Sequence, residues 1–249
     1  MKYLKYTGVL AILLLASCEE VAFDADLKNA ELNVPVATVS PVWPFIDENE
    51  SSRISADLLR KNIYIVFDGS GSMADRDCSG GSPKINVART AFKDFLGNVP
   101  KDANVGLHIF DRQGNREVVS LGINNRDSLS EAINSVVPRS GTPLGPAIKS
   151  AYRQMTAQAK NQLGYGEYHL VVITDGIANS GQESGAIVET ILSESPVIMH
   201  TIGFCIGTRH ALNKPGQVFY KAADDRESLV VGLQGVLAES PDYAVVNFQ

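Results

Sequence analysis

Two runs, Ile63-Tyr64-Ile65-Val66-Phe67 and Leu170-Val171-Val172-Ile173-Thr174, constrain the fold of this chain more than any other feature. Each is nearly continuous in apolar, β-branched or aromatic side chains, which suits a strand covered on both faces, as in a parallel sheet. Around them the period changes. After Ser82-Pro83, which we read as an N-cap followed by proline at the first helical position, Ile85, Ala88, Phe92, Phe95 and Leu96 recur at helical spacing. Residues 105–110 form the next strand, and the turn Asp111-Arg112-Gln113-Gly114-Asn115 leads into an antiparallel edge strand over 117–121. Helices are expected over 128–136 and from Leu144 through Ala147, Ile148, Ala151 and Met155. A helix carrying Ile187, Ile191 and Leu192 precedes a strand over 197–204. A short strand over 218–221 and a helix with Leu229, Val230, Leu233 and Leu237 close the pattern. Strands separated by helices imply right-handed βαβ crossovers. The expected fold is α/β, a doubly wound and mostly parallel sheet flanked by helices, with one antiparallel edge strand, over residues 61–240.

The segments outside this pattern have a different character. Residues 1–17 carry Lys2 and Lys5 ahead of the apolar run Val9 to Leu15 and end in Ala16-Ser17, as a bacterial secretory signal does. The run is too short to span a bilayer. Leu15-Ala16-Ser17-Cys18 resembles the lipobox of bacterial lipoproteins, which implies an acylated (palmitate-bearing) Cys18 as the new N-terminus; the other reading is a plain signal peptide that leaves a free cysteine. The resemblance implies a lipid-anchored protein of the cell envelope, and Glu19 after Cys18 points to the outer membrane in a Gram-negative host. Residues 18–60, interrupted by Pro35, Pro41 and Pro44, read as a tether, although Trp43-Pro44-Phe45 is apolar enough to lie along the domain. The tail over 241–249 has apolar residues suited either to a docking strand or to packing.

Three polar segments follow or face the ends of the apolar strands: Asp68-Gly69-Ser70-Gly71-Ser72, Ser140-Gly141-Thr142-Pro143 and Thr174-Asp175-Gly176. In a doubly wound sheet, ligands sit outside the carboxyl ends of the strands where the strand order reverses. Asp68 and Asp175 brought together there would repel each other unless a cation lay between them. With the hydroxyls of Ser70, Ser72 and Thr142 they make an all-oxygen set. Such donors suit Mg²⁺, with Mn²⁺ or Ca²⁺ as substitutes, better than zinc or copper. If 68–72 is extended, alternation puts Asp68, Ser70 and Ser72 on one face. These five residues, in this order, resemble the metal-ion-dependent adhesion site of von Willebrand factor A (VWA) domains. That resemblance covers residues 61–240. It implies that Asp68, Ser70 and Ser72 bind the metal, that Thr142 and Asp175 bind it directly or through water, and that a Glu or Asp of a partner completes the coordination.

Composition narrows the function classes. The whole chain has 22 basic and 28 acidic residues; loss of residues 1–17 removes two lysines, leaving 20 against 28, a balance of −8. An acidic surface without basic clusters argues against nucleic acid as a partner. Asp75, Asp77, Ser79 and Gly80 match the opening of an EF-hand loop, but Asn86 stands where a bidentate Glu is needed, so a solvated rim loop is preferred. A serine hydrolase built on Ser70, Asp175 and His200 or His210 lacks the first glycine of G-x-S-x-G, and a non-enzymatic role is expected. In an oxidising compartment Cys78 and Cys205, expected on the same face, are either disulfide-bonded or two separate thiols. The leading expectation is an adhesion or envelope-assembly protein that binds a protein or extracellular matrix ligand. The alternative is a non-adhesive accessory or regulatory module of an envelope complex, with a structural metal.

Overall fold

The computed structural model describes residues 43–46 and 53–238. The expected signal segment 1–17, lipidation at Cys18, most of the tether over 18–60 and the tail over 241–249 lie outside the described residues. Six strands, β1 (Lys61–Asp68), β2 (Asn104–Asp111), β3 (Gly114–Gly122), β4 (Glu167–Thr174), β5 (Ile198–Phe204) and β6 (Phe219–Ala223), form one sheet in the order β3-β2-β1-β4-β5-β6. All neighbours are parallel except β2 and β3. The helices are α1 (Lys84–Asn98), α2 (Arg126–Ser135), α3 (Leu144–Asn161), α4 (Gly185–Glu194) and α5 (Arg226–Ala238). This is the expected doubly wound architecture with its antiparallel edge pair.

The continuous apolar runs are explained by two cores. Ile63, Ile65 and Phe67 of β1 join the layer formed with α1, α2 and α5, while Tyr64 and Val66 join the layer formed with α3 and α4. Alternate side chains of one strand therefore enter opposite layers, and neither face retains a polar set. Trp43 packs on the second layer, with its ring 5.0 Å from Tyr168 in an edge arrangement and 6.5 Å from Tyr152. This part of the expected tether lies along the domain.

Local boundaries differ where backbone geometry overrides pattern. Pro83, with φ −54° and ψ 135°, is itself the N-cap of α1 rather than its first helical residue. The hairpin turn is tighter than expected: Asp111 pairs with Gly114, so only Arg112 and Gln113 lie outside the ladder, and Gly114 takes φ +97°. The last strand lies at 219–223, starting one residue and ending two residues beyond its expected bounds.

Candidate metal centre

The strand order reverses at β1: the crossover through α1 leads to β2 on one side of it, and β4, β5 and β6 follow in order on the other. Asp68 is the last residue of β1 and Asp175 follows the last residue of β4, so both carboxylates stand at the switch point. Past Asp68 the chain does not stay extended. Ser70 is extended, at φ −63° and ψ 171°, but Gly71–Ala74 forms a 3₁₀ turn. The three side chains converge because the loop folds back, not by strand alternation. Gly69 makes this turn possible. Its N–H donates to Phe110 O at 2.8 Å, its carbonyl accepts from Arg139 N at 3.0 Å, and a Cβ there would lie 2.6 Å from Val136 and 2.8 Å from Asp111.

Hydrogen bonds fix the donor set. One Asp68 oxygen accepts from the Ser70 N–H at 2.7 Å and the other from Thr174 Oγ1 at 2.6 Å. Ser72 Oγ donates to Asp175 Oδ1 at 2.7 Å and lies 3.1 Å from Ser70 Oγ. Thr142 reaches the same place from the loop between α2 and α3. A Cβ built on Gly176 would stand 3.3 Å from Thr142 Oγ1 and 3.7 Å from Ser72 Oγ, so both hydroxyls face this glycine. Asn179 clamps the Thr142 loop: its Oδ1 accepts from Thr142 N, and its own N–H donates to Thr142 O, each at 3.0 Å. Ser140, in the same loop, is held at φ +81°, a conformation costly for a residue with a side chain.

The electrostatics suit a hard cation. Burial pushes the Asp68 carboxyl up to about 6, the Asp175 charge adds to the rise, and hydrogen bonds from Ser70 and Thr174 oppose it. Burial likewise raises Asp175, against the Ser72 hydrogen bond and the Lys84 charge. Two buried carboxylates, each raised by burial and one of them also by the charge of the other, stand among neutral hydroxyls, a donor set that could hold a small divalent cation. Among the described residues no group of three or more His, Cys, Asp or Glu side chains is placed to hold a metal.

Residues 62–232 match the family model of the von Willebrand factor type A domain. The chain belongs to that family. YwmD, an uncharacterized protein of Bacillus subtilis (strain 168), is 27% identical over 157 residues, which make up 57% of this chain and 67% of that protein. Among solved structures, the pilus adhesin SpaC of Lactobacillus rhamnosus GG has a TM-score of 0.57 at 14% identity over 75% of this chain; the match spans 31% of SpaC. An aerotolerance-related membrane protein of Bacteroides fragilis has a TM-score of 0.54 at 17% identity, covering 71% of this chain and 98% of that one. At these identities the likeness to the two solved structures is one of fold.

The VWA domain thus gathers all five sequence-predicted residues, and three others that pattern did not reveal take part. Thr174 and Asn179 orient Asp68 and Thr142. Lys84, at the start of α1, places its ammonium 3.2 Å from Asp175 Oδ2 and 3.1 Å from Asp77 Oδ1. Spacing alone could not have shown this, because Lys84 reads as an ordinary first-turn residue. The hydrogen bonds of the two histidines considered for a hydrolase reach neither Ser70 nor Asp175. His210 Nε2 lies 3.0 Å from Gly176 O and its Nδ1 accepts from Leu212 N, while His200 Nε2 is 3.0 Å from His169 Nδ1. Cys78 and Cys205 form a disulfide with Cα atoms 6.0 Å apart, joining the rim loop to the end of β5.

Proposed function

We propose that this protein is a lipid-anchored envelope protein whose VWA domain captures an acidic side chain of a protein or extracellular matrix ligand through a divalent cation. Mg²⁺ is the natural occupant, with Mn²⁺ or Ca²⁺ as substitutes. The observation that carries this reading is the meeting of Asp68, Ser70, Ser72, Thr142 and Asp175 at the switch point of the sheet. Asp68 and Asp175 contribute charge; the three hydroxyls contribute neutral oxygens. When bound, the cation supplies an electrophilic coordination position that a ligand carboxylate completes.

The chain's own residues set the geometry of that encounter. Thr174 and the Ser70 N–H hold both oxygens of Asp68, so the carboxylate is oriented before any cation arrives. Asn179 keeps Thr142 facing the first loop. Beside Asp175, Ile177 is 79% exposed and offers an apolar rim contact, which lets the surface distinguish one carboxylate-bearing ligand from another. The description of SpaC as a pilus adhesin supports an adhesive use of the shared fold. Lipid attachment rests on the short apolar run and on Leu15-Ala16-Ser17-Cys18, and it would place the domain at the envelope, at the outer membrane in a Gram-negative host.

The test is a pull-down from envelope extract with and without EDTA, comparing wild type with Asp68→Ala, alongside calorimetric Mg²⁺ titration. Partner capture lost on both treatments supports the adhesive reading. Capture that survives both, with a cation that still raises the melting temperature, supports the accessory module with a structural metal instead. Palmitate labelling that persists in Cys18→Ala would remove the anchor from the proposal.

A further inference from the structure

Lys84 is a charged side chain built into the candidate site, yet none of the five predicted donors requires it. Its side chain is only 5% exposed, and its ammonium bridges two carboxylates of different kind. Asp175 is fully buried and belongs to the donor set, whereas Asp77 is 68% exposed and stands on the rim loop. With a carboxylate oxygen within 3.2 Å on each side, the lysine is a resident cation. Asp175 divides its oxygens between Ser72 on Oδ1 and Lys84 on Oδ2, and the two buried carboxylates with this ammonium carry a net charge of −1 rather than −2.

Position also matters. Lys84 N–H donates to Asp75 O at 2.8 Å, which ties the start of α1 to the rim loop. Cys78, the residue after Asp77, is bonded to Cys205, which directly follows β5, so the Asp77 carboxylate is carried on a braced segment. Because the ammonium already touches both carboxylates, leaving Asp175 for Asp77 requires rotation only about the terminal bonds of the lysine.

We propose that Lys84 is a built-in competitor that sets how much divalent cation the site requires. Cation and ammonium exchange at Asp175 Oδ2, and Asp77 receives the ammonium when the cation takes Asp175. The inference rests on the reading of this cluster as a divalent-cation site. Two substitutions on the same ion-pair chain then act in opposite directions. Lys84→Met keeps the apolar stem and removes the competing charge, so divalent binding tightens, by about tenfold or more for a unit charge so close to the cation. Asp77→Asn removes the alternative berth and leaves the ammonium on Asp175, so binding weakens severalfold.

The experiment measures Mn²⁺ binding to the full chain by the spin-resonance signal of free Mn²⁺, in wild type, Lys84→Met, Asp77→Asn and Asp68→Ala. Melting in EDTA and in Mn²⁺ is followed in parallel. The expected result is the order Lys84→Met tightest, then wild type, then Asp77→Asn. Lys84→Met should also melt below wild type in EDTA and gain more from Mn²⁺. A lysine that merely positions Asp175 predicts the reverse: Lys84→Met weaker than wild type, and Asp77→Asn unchanged. Either of those results overturns the inference, and Asp77→Asn alone decides it if Lys84→Met does not fold. Asp68-dependent binding in wild type without tightening in Lys84→Met defeats this inference and spares the cation site; no uptake by either protein at millimolar Mn²⁺ defeats both.

Discussion

Asp68 sits at a compromise between folding and function. It is fully buried, its proton affinity is raised to about 6 by burial and by Asp175, and hydrogen bonds from Ser70 and Thr174 partly offset the cost. At neutral pH the ionised group costs the cation-free domain about 3 kcal/mol relative to a neutral isostere. Asp68→Asn keeps an acceptor for the Ser70 N–H and turns a donor toward Thr174 Oγ1. We expect it to raise the midpoint of urea unfolding in EDTA while abolishing the stabilisation that Mg²⁺ gives the wild type. A variant with an unchanged midpoint in EDTA would show that the carboxylate is not strained. Of the residues around this site, the aspartates and hydroxyls were legible because their chemistry is unusual at strand ends. Thr174, Asn179 and Lys84 were not, since each is an ordinary residue for its segment and acquires its role only from a neighbour 37 to 106 positions away.

At the scale of elements, the rim loop between the 3₁₀ turn and α1 is short of regular structure and depends on cross-links. Ser79 Oγ donates to Ser82 O, Lys84 N–H donates to Asp75 O, and Cys78 is joined to Cys205 across 127 positions. Cys78 and Cys205 take φ values of 51° and 63°, conformations that side chains rarely adopt unless something holds them. Closing so long a loop contributes ~4 to 5 kcal/mol in the chain-entropy model. We expect the Cys78→Ala/Cys205→Ala pair to lose several kcal/mol of unfolding free energy. Mg²⁺ affinity should fall with it, because the loop that carries Asp77 and follows Ser72 loses its brace. A double variant that melts with wild type would show that the loop is held by its hydrogen bonds alone. Elements themselves were read well where periodicity was long, as in β1, β4, α1 and α3. Their ends were read less well: the two-residue turn at Arg112-Gln113 and the cap at Pro83 follow from φ and ψ values that composition only biases.

For the whole molecule, buried histidines couple fold to pH. His200 is packed between His169 and Phe219, with ring centroids 5.2 Å from each. Burial, with the His169 charge adding to it, pushes His200 down to about 3. The unfolded chain takes up this proton near 6.5, so the contribution of His200 to stability is complete above that pH and is lost as pH falls toward 3. The loss runs at up to about 1.4 kcal/mol per pH unit, or ~2 kcal/mol between pH 6.5 and 5. Asp68, with a raised value, acts in the opposite sense between about 6 and its unfolded value. The His200 share is therefore the difference between wild type and His200→Gln in urea midpoints measured from pH 7 to 5. We expect the variant to show a clearly shallower acid loss; parallel curves would mean that His200 does not stay neutral in the fold.

What the sequence determined by itself was the architecture and the identity of the candidate donors. Continuous β-branched runs permit only strands buried on both faces, helical periods between them require crossovers, and carboxylates with hydroxyls at strand ends have few chemical uses. Tertiary structure alone decided how those donors meet. The 3₁₀ turn rather than an extended strand brings Ser72 to Asp175, Asn179 holds the Thr142 loop by two hydrogen bonds, and a lysine from the first turn of α1 takes one oxygen of a predicted ligand. Periodicity is a property of neighbours along the chain, whereas the charge of this site is a sum over Asp68, Asp77, Lys84 and Asp175, from four separate segments. Only folding brings those terms close enough to interact.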